Sequence, residues 1–195
     1  MPIENPRLVV ISGGPGAGKT TMLHELAKLG FRHAPEVARE IIREQVSVGG
    51  QALPWIDRAA YTALMLARSI DSFVCHTPAP ELLFADRGIP DTLAYARLIG
   101  LAGTGPIERA CRDYRYAPVV FLAPPWREIY CTDSERKQDF EEGERTYAGL
   151  ARVYHELGYR TVEVPKLPAD ERARFILETL NWPRGQATVD NKGNG

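Results

Sequence analysis

The stretch that decides the fold is VVISGGPGAGKTTMLHEL, residues 9–26. Apolar residues lead directly into four glycines and a proline, and a lysine, two threonines and a helical apolar pattern follow. Gly13, Gly18, Lys19 and Thr20 match the P-loop spacing of glycine, four residues, glycine, lysine and then serine or threonine. Because a strand pattern precedes the glycines and a helix pattern follows them, the motif predicts a phosphate-binding loop rather than an ordinary turn.

Each part of this loop has a physical role in the prediction. Glycines lack Cβ and take positive φ easily, so successive backbone N–H groups can face one anion. A helix beginning near Lys19 adds unsatisfied N–H donors at the same point. Lys19 is predicted to reach the β- and γ-phosphates, and Thr20 to offer its hydroxyl to Mg²⁺. The predicted nucleotide-binding residues are Gly13, Gly14, Pro15, Gly16, Ala17, Gly18, Lys19, Thr20 and Thr21.

Composition limits the classes of partner. The 195 residues include 24 Lys and Arg against 25 Asp and Glu, so the formal charge of −1 gives no general attraction to nucleic acid or an anionic membrane. No apolar run approaches the ~18 residues of a membrane span. The three cysteines include no CxxC pair, which is typical of a reducing compartment. With no leader pattern at the N-terminus, we expect a cytoplasmic protein without a membrane span.

Strand and helix patterns alternate along the chain. This alternation predicts an α/β protein, a three-layer α/β/α sandwich with a five-stranded parallel sheet and ligands at the carboxyl ends of the strands. A long polar helix is expected at 134–157 and a final helix with Asp170 as its N-cap. We expect one domain over 1–183 and a disordered polar tail over 184–195. The predicted strands are RLVVIS (7–12), FRHAPE (31–36), ELLFAD (81–86), APVVFLAP (117–124) and YRTVEV (159–164).

Three places directly after strands carry candidate catalytic residues. The first is APEVAREII, where Glu36 and Arg39 follow the second strand. A carboxylate there can face the phosphate acceptor and remove a hydroxyl proton. The alternative is a carboxylate that only stabilises the start of a helix. Arg39 is a candidate for binding the acceptor.

The second place is LLFADRGIPDTLAY, where an apolar strand ends in two charged residues. Asp86 is predicted to hold Mg²⁺, directly or through water, and Arg87 to contact phosphate or a neighbouring carboxylate. Asp91 is a candidate for acceptor binding, or a simple helix cap after Pro90. An N-cap and a surface ion pair are the alternatives for Asp86 and Arg87.

The third place is the charged segment PPWREIYCTDSERKQDFEEGERTY after the fourth strand. Arg127, Arg136 and Lys137 lie where a lid over residues 126–146 would bring cations to the transferring phosphoryl group. Among them, Arg127 and Arg136 are the candidates for catalysis. A charge-rich helix is otherwise a solvated face.

These motifs together resemble a known family. GGPGAGKTT, APEVAREII, FADRGIPDTLAY and FLAPPWREIYCTDSERKQ are similar to the predicted ATPase/kinase family of bacterial single-domain proteins with an AAA-type label, which is related to the nicotinamide riboside kinase domain and to a nucleotide-binding domain of a trafficking protein. The resemblance covers residues 8–180. It implies a P-loop nucleoside/nucleotide-kinase fold with strand order 2-3-1-4-5, and it implies that VPKLPAD packs beside an adenine.

Two motifs also resemble deoxynucleoside kinases. PEVAR is similar to their Pro-Glu-Pro-Val-Ala-Arg motif, although the second proline is missing here, and the resemblance implies that Glu36 is the catalytic base. DRG at 86–88 is similar to their Glu-Arg-Ser motif, with aspartate in place of glutamate. The expected cofactors are therefore Mg²⁺ and ATP, with GTP as the alternative nucleotide.

Two hypotheses for the function follow. The first is a kinase that transfers the γ-phosphoryl group of Mg-ATP to the hydroxyl of a nucleoside-like or other small alcohol. The second is a nucleotide-dependent switch that acts on a protein or lipid partner. A signalling GTPase would show Asp-x-x-Gly after the third strand and Asn-Lys-x-Asp before the base pocket, and this sequence has neither motif at these positions. A ring-forming AAA+ protein would carry a separate helical lid domain after the core, and we expect no such domain in these 195 residues. The apolar residues of ALPWI and YTALMLA are either core or part of an acceptor pocket.

Overall fold

Parallel strands form the centre of the protein in a computed structural model that describes residues 1–130 and 140–182. The five-stranded sheet has the order β3-β4-β2-β6-β7, which confirms the predicted order 2-3-1-4-5. All of its neighbouring strands are parallel. The strands are β1 (Ile3–Glu4), β2 (Leu8–Gly13), β3 (Arg32–Ala34), β4 (Leu83–Asp86), β5 (Tyr114–Arg115), β6 (Val119–Ala123) and β7 (Arg160–Glu163).

Helices connect the strands and cover both faces of the sheet. Apolar side chains from α1 and α7 form the core on one face, and those from α4, α5 and α6 form the core on the other. A smaller apolar cluster joins α2 to α3. The helices are α1 (Lys19–Lys28), α2 (Val37–Val48), α3 (Arg58–Cys75), α4 (Ile89–Leu98), α5 (Gly105–Asp113), α6 (Phe140–Glu156) and α7 (Ala169–Thr179). The predicted three-layer α/β/α sandwich is confirmed.

The middle strand shows why the apolar run before the glycines is continuous. All six residues of β2 are buried, because the strand pairs with β4 on one side and β6 on the other and helices cover both faces. Ile11 pairs with Asp86 and Gly13 pairs with Ala123. The carboxyl ends of three strands therefore meet at one edge of the sheet.

Several details of the predicted elements are wrong or fall outside the described residues. The N-cap of α7 is Pro168, and Asp170 lies inside the first turn of that helix. A second, two-stranded sheet pairs β1 with β5, which the sequence did not predict. The described part of the long helix is Phe140–Glu156, and residues 131–139 and 183–195, which include the predicted start of that helix and the predicted tail, lie outside the described residues. Within the described residues, no helix has the length and apolar character needed to cross a membrane.

Candidate active site

The glycine loop between β2 and α1 has the backbone that an anion site requires. Gly13 and Gly18 have φ values of 147° and 74°, in the region that favours glycine. A Cβ on Gly13 would lie 2.5 Å from the carbonyl oxygen of Ala123, so the loop passes too close to β6 for a side chain. Helix α1 begins directly after Gly18, with no side-chain cap for its N–H groups. These donors are therefore available for a phosphate group.

Lys19 lies against this loop. Its side chain is buried, and Nζ donates to the carbonyl oxygens of Gly13 at 3.3 Å and Gly14 at 3.1 Å. Thr20, on the first turn of α1, is exposed. The structure thus brings the lysine and the threonine hydroxyl to the same end of α1.

Asp86 ends β4 at the same edge of the sheet. The residue is only 7% exposed, and its Oδ1 has no hydrogen-bond partner among the described residues. A buried carboxylate oxygen without a donor is costly unless a cation or a proton compensates its charge. Carboxylate and hydroxyl oxygens suit Mg²⁺, so Asp86 and Thr20 fit the predicted metal ligands.

Replacing Asp86 by asparagine is expected to raise the Mg²⁺ concentration that supports half-maximal ADP binding by roughly 10- to 100-fold. The reason is that a neutral amide is a weaker ligand for a hard divalent cation than a carboxylate. Calorimetric titrations of ADP at several Mg²⁺ concentrations measure the effect. Asp113→Asn, at an exposed site at the end of α5, is the matched control. An unchanged Mg²⁺ requirement in Asp86→Asn would show that this carboxylate holds no cation.

Glu36 lies at the start of α2 and is held by two arginines. Its Oε1 accepts from Arg87 Nε at 2.9 Å, and its Oε2 lies 3.6 Å from Arg39 Nε. The Glu36 side chain is only 6% exposed, so these ion pairs compensate a buried charge. The structure therefore brings together three of the predicted residues, and it fixes the direction of the carboxylate.

Arg87 has an unusual backbone conformation at this point. Its φ is 74°, which L-residues other than glycine adopt rarely, and its N–H donates to the carbonyl of Ile11 at 3.0 Å. Such conformations persist where the surrounding structure requires them, often at functional sites. Here the turn directs the guanidinium of Arg87 between Glu36 and Asp91.

Asp91 is the centre of a buried hydrogen-bond network. Its Oδ1 accepts from Ser12 Oγ at 2.5 Å and Arg87 Nη1 at 3.1 Å, and its Oδ2 accepts from Gly88 N at 2.9 Å and Tyr154 OH at 2.5 Å. Hydrogen bonds to charged groups contribute about 1.5–3 kcal/mol each. Burial, and then the charge of Asp91, raises the pKa of the Tyr154 hydroxyl, which remains a donor. Asp91 thus joins β2, α4 and α6, and its predicted contact with an acceptor stays a prediction.

A large cleft opens beside Glu36 and the glycine loop. It has a volume of about 760 Å³, within the range of ligand pockets. Pro15 of the loop and Glu36 lie on its wall, together with charged and apolar side chains from α2, α3, α4 and α6. Its apolar and aromatic lining includes Ile42, Trp55, Tyr61, Met65, Tyr95 and Ile99. Part of YTALMLA is thus both core and cleft wall, because Tyr61 and Met65 belong also to the apolar cluster between α2 and α3.

The predicted lid is described only in part. Arg127 lies in a short 3-10 helix at Arg127–Ile129, and its side chain is exposed. Its guanidinium carbon lies 4.2 Å from the ring centroid of Phe140, at the start of α6. Arg136 and Lys137 lie outside the described residues, so their predicted roles stay predictions.

Sequence reasoning missed three residues that contact the site. Tyr154 and Arg172 occupy buried positions on helices α6 and α7, where a polar side chain within an apolar face was the available signal. Gly143 is a glycine inside the polar helix α6. Its carbonyl oxygen would lie 2.9 Å from a Cβ on Gly14, so α6 packs directly on the glycine loop.

The fold is that of a known class of proteins. A parallel sheet of order 2-3-1-4-5, with a glycine loop, lysine and threonine at the end of its middle strand, is the architecture of P-loop nucleoside and nucleotide kinases. The chain belongs to the AAA domain family, whose model matches residues 8–172. A comparison of its sequence with curated proteins gives no significant match.

Solved structures share this fold at low sequence identity. The NadR protein in complex with NR is 19% identical, with a TM-score of 0.67, and the match covers 97% of this chain and 53% of that one. Shikimate kinase from Acinetobacter baumannii in complex with shikimate is 21% identical, with a TM-score of 0.53 and coverage of 90% and 93%. Thymidylate kinase from Ehrlichia chaffeensis is 17% identical, with a TM-score of 0.59 and coverage of 91% and 99%. This chain therefore spans about half the length of the NadR protein and nearly all of the two kinases.

Proposed function

We propose that this protein is a kinase that transfers the γ-phosphoryl group of Mg-ATP to a hydroxyl of a small molecule bound in the cleft. The observation that carries the proposal is the position of Glu36. This carboxylate is buried, is oriented by Arg87, and lines the same cleft as Pro15 of the glycine loop. A base on the wall of a cleft that the nucleotide loop also lines is the arrangement that phosphoryl transfer to an alcohol requires.

In the proposed reaction, Glu36 accepts the proton of the acceptor hydroxyl. The hydroxyl oxygen forms a bond to the γ-phosphorus while the bond from that phosphorus to the bridging oxygen of ADP breaks. ADP leaves with the electron pair of the broken bond. Arg87 and Arg39 aim Glu36, since each guanidinium faces one of its oxygens.

Charge on the phosphoryl group is balanced by cations around the loop. In this proposal, Lys19 exchanges its two carbonyl acceptors in the loop for phosphate oxygens, and Arg127 and Arg136 supply further positive charge. Thr20 and Asp86 would hold the Mg²⁺ ion. When bound, this ion neutralises and orients the phosphate oxygens. In this proposal, residues 13–21 and the metal ligands bind the phosphate chain, and the cleft that Pro15 and Glu36 line receives the acceptor.

Structural neighbours support an acceptor of low molecular mass. Structures with the same fold include shikimate kinase bound to shikimate, and a deoxyadenosine kinase from M. mycoides with the product dcmp. Their chemistry differs, so the fold supports a small acceptor without choosing it. The residues that line the cleft of this chain determine which acceptor fits.

The cleft wall favours an acceptor with a planar or apolar part. Tyr61 and Tyr95 pack edge to face with centroids 5.6 Å apart, next to Ile42 and Met65. Burial raises the pKa of both tyrosine hydroxyls, so both rings are neutral at physiological pH. A nucleoside-like base or another flat group can stack on such rings, and its hydroxyl would reach Glu36.

Replacing Tyr95 by alanine is expected to raise KM for the acceptor by about tenfold, because an aromatic contact contributes about 0.5–1.5 kcal/mol beyond the area it buries. The Kd for ATP should not change. Tyr95→Phe is the matched control, since it keeps the ring and is expected to keep KM near the wild-type value. Steady-state kinetics with acceptor and ATP varied in turn measure both parameters. Equal KM values for Tyr95→Ala and wild type would place the acceptor elsewhere.

The experiment that tests the proposal is a measurement of ADP release from Mg-ATP and from Mg-GTP. The assay runs with and without nucleosides, shikimate-like and other small alcohols, isoprenoid alcohols and sugars. A many-fold rise in ADP release with one acceptor, together with a phosphorylated form of that acceptor in a mass spectrum, supports the kinase. Tight nucleotide binding, together with a slow release of ADP that no acceptor stimulates, would contradict the kinase.

That second outcome would favour a nucleotide-dependent binding switch. One observation supports this alternative: Trp55 and Ile56 are 59% and 52% exposed beside the cleft, as two adjacent large apolar side chains. Exposed apolar patches of this kind often mark protein or lipid contacts. A pull-down or vesicle-binding assay with nucleotide bound and removed then tests the switch.

A further inference from the structure

Arg172 lies against the Ala17–Gly18 end of the glycine loop. It belongs to the first turn of α7, which follows the last strand of the sheet, and is only 5% exposed. Its Nη1 donates to the carbonyl of Ala17 at 3.1 Å. A Cβ on Gly18 would lie 2.8 Å from Nη2 and 3.1 Å from Nη1. The guanidinium thus packs on the backbone from which α1 begins.

The positive charge of Arg172 is not compensated within the described part of the chain. No carboxylate there forms an ion pair with it, and its Nε is buried without a hydrogen-bond partner. The ring of Trp126 also lies near it, with its centroid 5.7 Å from the guanidinium carbon. Burial lowers the pKa of Arg172, but arginine stays charged at physiological pH. A buried charge of this kind is costly until an opposite charge comes near.

Other positive groups converge on the same loop. Lys19 is buried there, and the N-terminus of α1 contributes the positive end of its dipole. Three positive contributions thus lie around one loop and repel one another. An anion with several charges removes this repulsion, and a single phosphate compensates it only in part.

We propose that Arg172 is a further nucleotide-binding residue, which recognises the charge of the phosphate chain of a nucleoside di- or triphosphate through the Ala17–Gly18 side of the loop. The inference rests on the proposed function only for the presence of a nucleotide at this loop, and it does not depend on an acceptor. A purely structural role, in which Arg172 only holds the carbonyl of Ala17, is the competing explanation.

The test compares two substitutions that separate charge from structure. Arg172→Gln keeps an N–H donor for the Ala17 carbonyl and removes the charge, whereas Arg172→Lys keeps the charge. The Kd values of inorganic tripolyphosphate, ADP and adenosine are measured by calorimetry without an acceptor. Arg172→Gln is expected to weaken binding of tripolyphosphate and ADP by roughly 10- to 100-fold and to leave adenosine unchanged. Arg172→Lys is expected to stay close to wild type.

Arg174→Gln is the matched control, because Arg174 lies on the same helix but is exposed and paired with Asp170. It should leave all three Kd values unchanged. Unchanged tripolyphosphate binding in Arg172→Gln overturns the inference, as does an equal loss in Arg172→Gln and Arg172→Lys. Equal weakening of adenosine and ADP would also overturn it, since Arg172 would then contact the base. If Arg172→Gln fails to fold, a wild-type-like affinity of Arg172→Lys for tripolyphosphate and ADP supports a role for the charge. A lost affinity in Arg172→Lys overturns the inference.

The same measurements separate this inference from the proposed function. A wild-type protein that binds tripolyphosphate and ADP but phosphorylates no acceptor leaves the Arg172 result valid and contradicts the kinase alone. A wild-type protein that binds neither ligand overturns both.

Discussion

Replacing Lys19 by alanine is expected to lower kcat/KM for Mg-ATP by about 10²- to 10³-fold, because the change removes a preorganised cation from the phosphoryl group. The Lys19 side chain is buried against the glycine loop. Lys28, the other lysine of α1, lies at the opposite end of the helix and cannot replace it. ADP release with and without the best acceptor measures the effect. The Kd for ADP, measured in parallel, separates lost binding from lost catalysis.

Lys28→Ala is the control for this prediction. Lys28 lies at the other end of α1, where its side chain is 71% exposed and pairs with Glu25. An exposed pair of this kind contributes little to stability, so the variant should behave as wild type. If Lys19→Ala turned over ATP at the wild-type rate, the glycine loop would not be the nucleotide site, and the proposed mechanism would be wrong from its first step.

Replacing Glu36 by glutamine is expected to reduce phosphoryl transfer by about 10²- to 10⁴-fold and to spare ATP binding. Glutamine has nearly the same shape and can still accept from Arg87 Nε through its carbonyl oxygen, but it cannot take the proton of an acceptor hydroxyl. Single-turnover measurements with saturating ATP and acceptor report the transfer step directly. The melting temperature of the variant shows whether the ion pairs with Arg87 and Arg39 also mattered for stability.

Glu40→Gln provides the comparison on the same helix. Glu40 is exposed, one turn after Glu36, so it tests whether loss of any negative charge at the start of α2 has an effect. Transfer should be normal in this variant. Normal transfer in Glu36→Gln as well would remove Glu36 as the base and leave it a structural partner of the arginines.

Much of the fold could be predicted from local pattern. Strands β2, β4 and β6 are buried on both faces apart from the half-buried Val119, and this burial explains their largely apolar composition. The strand order was implied by resemblance and is confirmed by the pairing of β2 with both β4 and β6. The pairing of β1 with β5 was not predicted, because two-residue strands with exposed or half-buried side chains leave no apolar pattern.

The candidate site could be predicted where its chemistry lies next to a strand end. Asp86 ends β4, Glu36 and Arg87 each follow a strand within two residues, and the parallel sheet brings those ends to one edge. The network around Asp91 could not be predicted in this way. Asp91 accepts a hydrogen bond from the hydroxyl of Tyr154, which is 63 residues away along the chain, and no local spacing encodes that contact.

The sequence by itself determined the phosphate loop and the residues at the strand ends. Glycine spacing and a strand-to-helix change are local properties of the chain, and their physical requirements hold in any surroundings. Only the tertiary structure decided which groups compensate which charges. Arg172 reaches the carbonyl of Ala17 across 155 residues of chain, and Arg87 joins Glu36 to Asp91 from a strained turn. Such pairings depend on how the layers pack, because a buried charge is stable only beside the partners that packing brings to it.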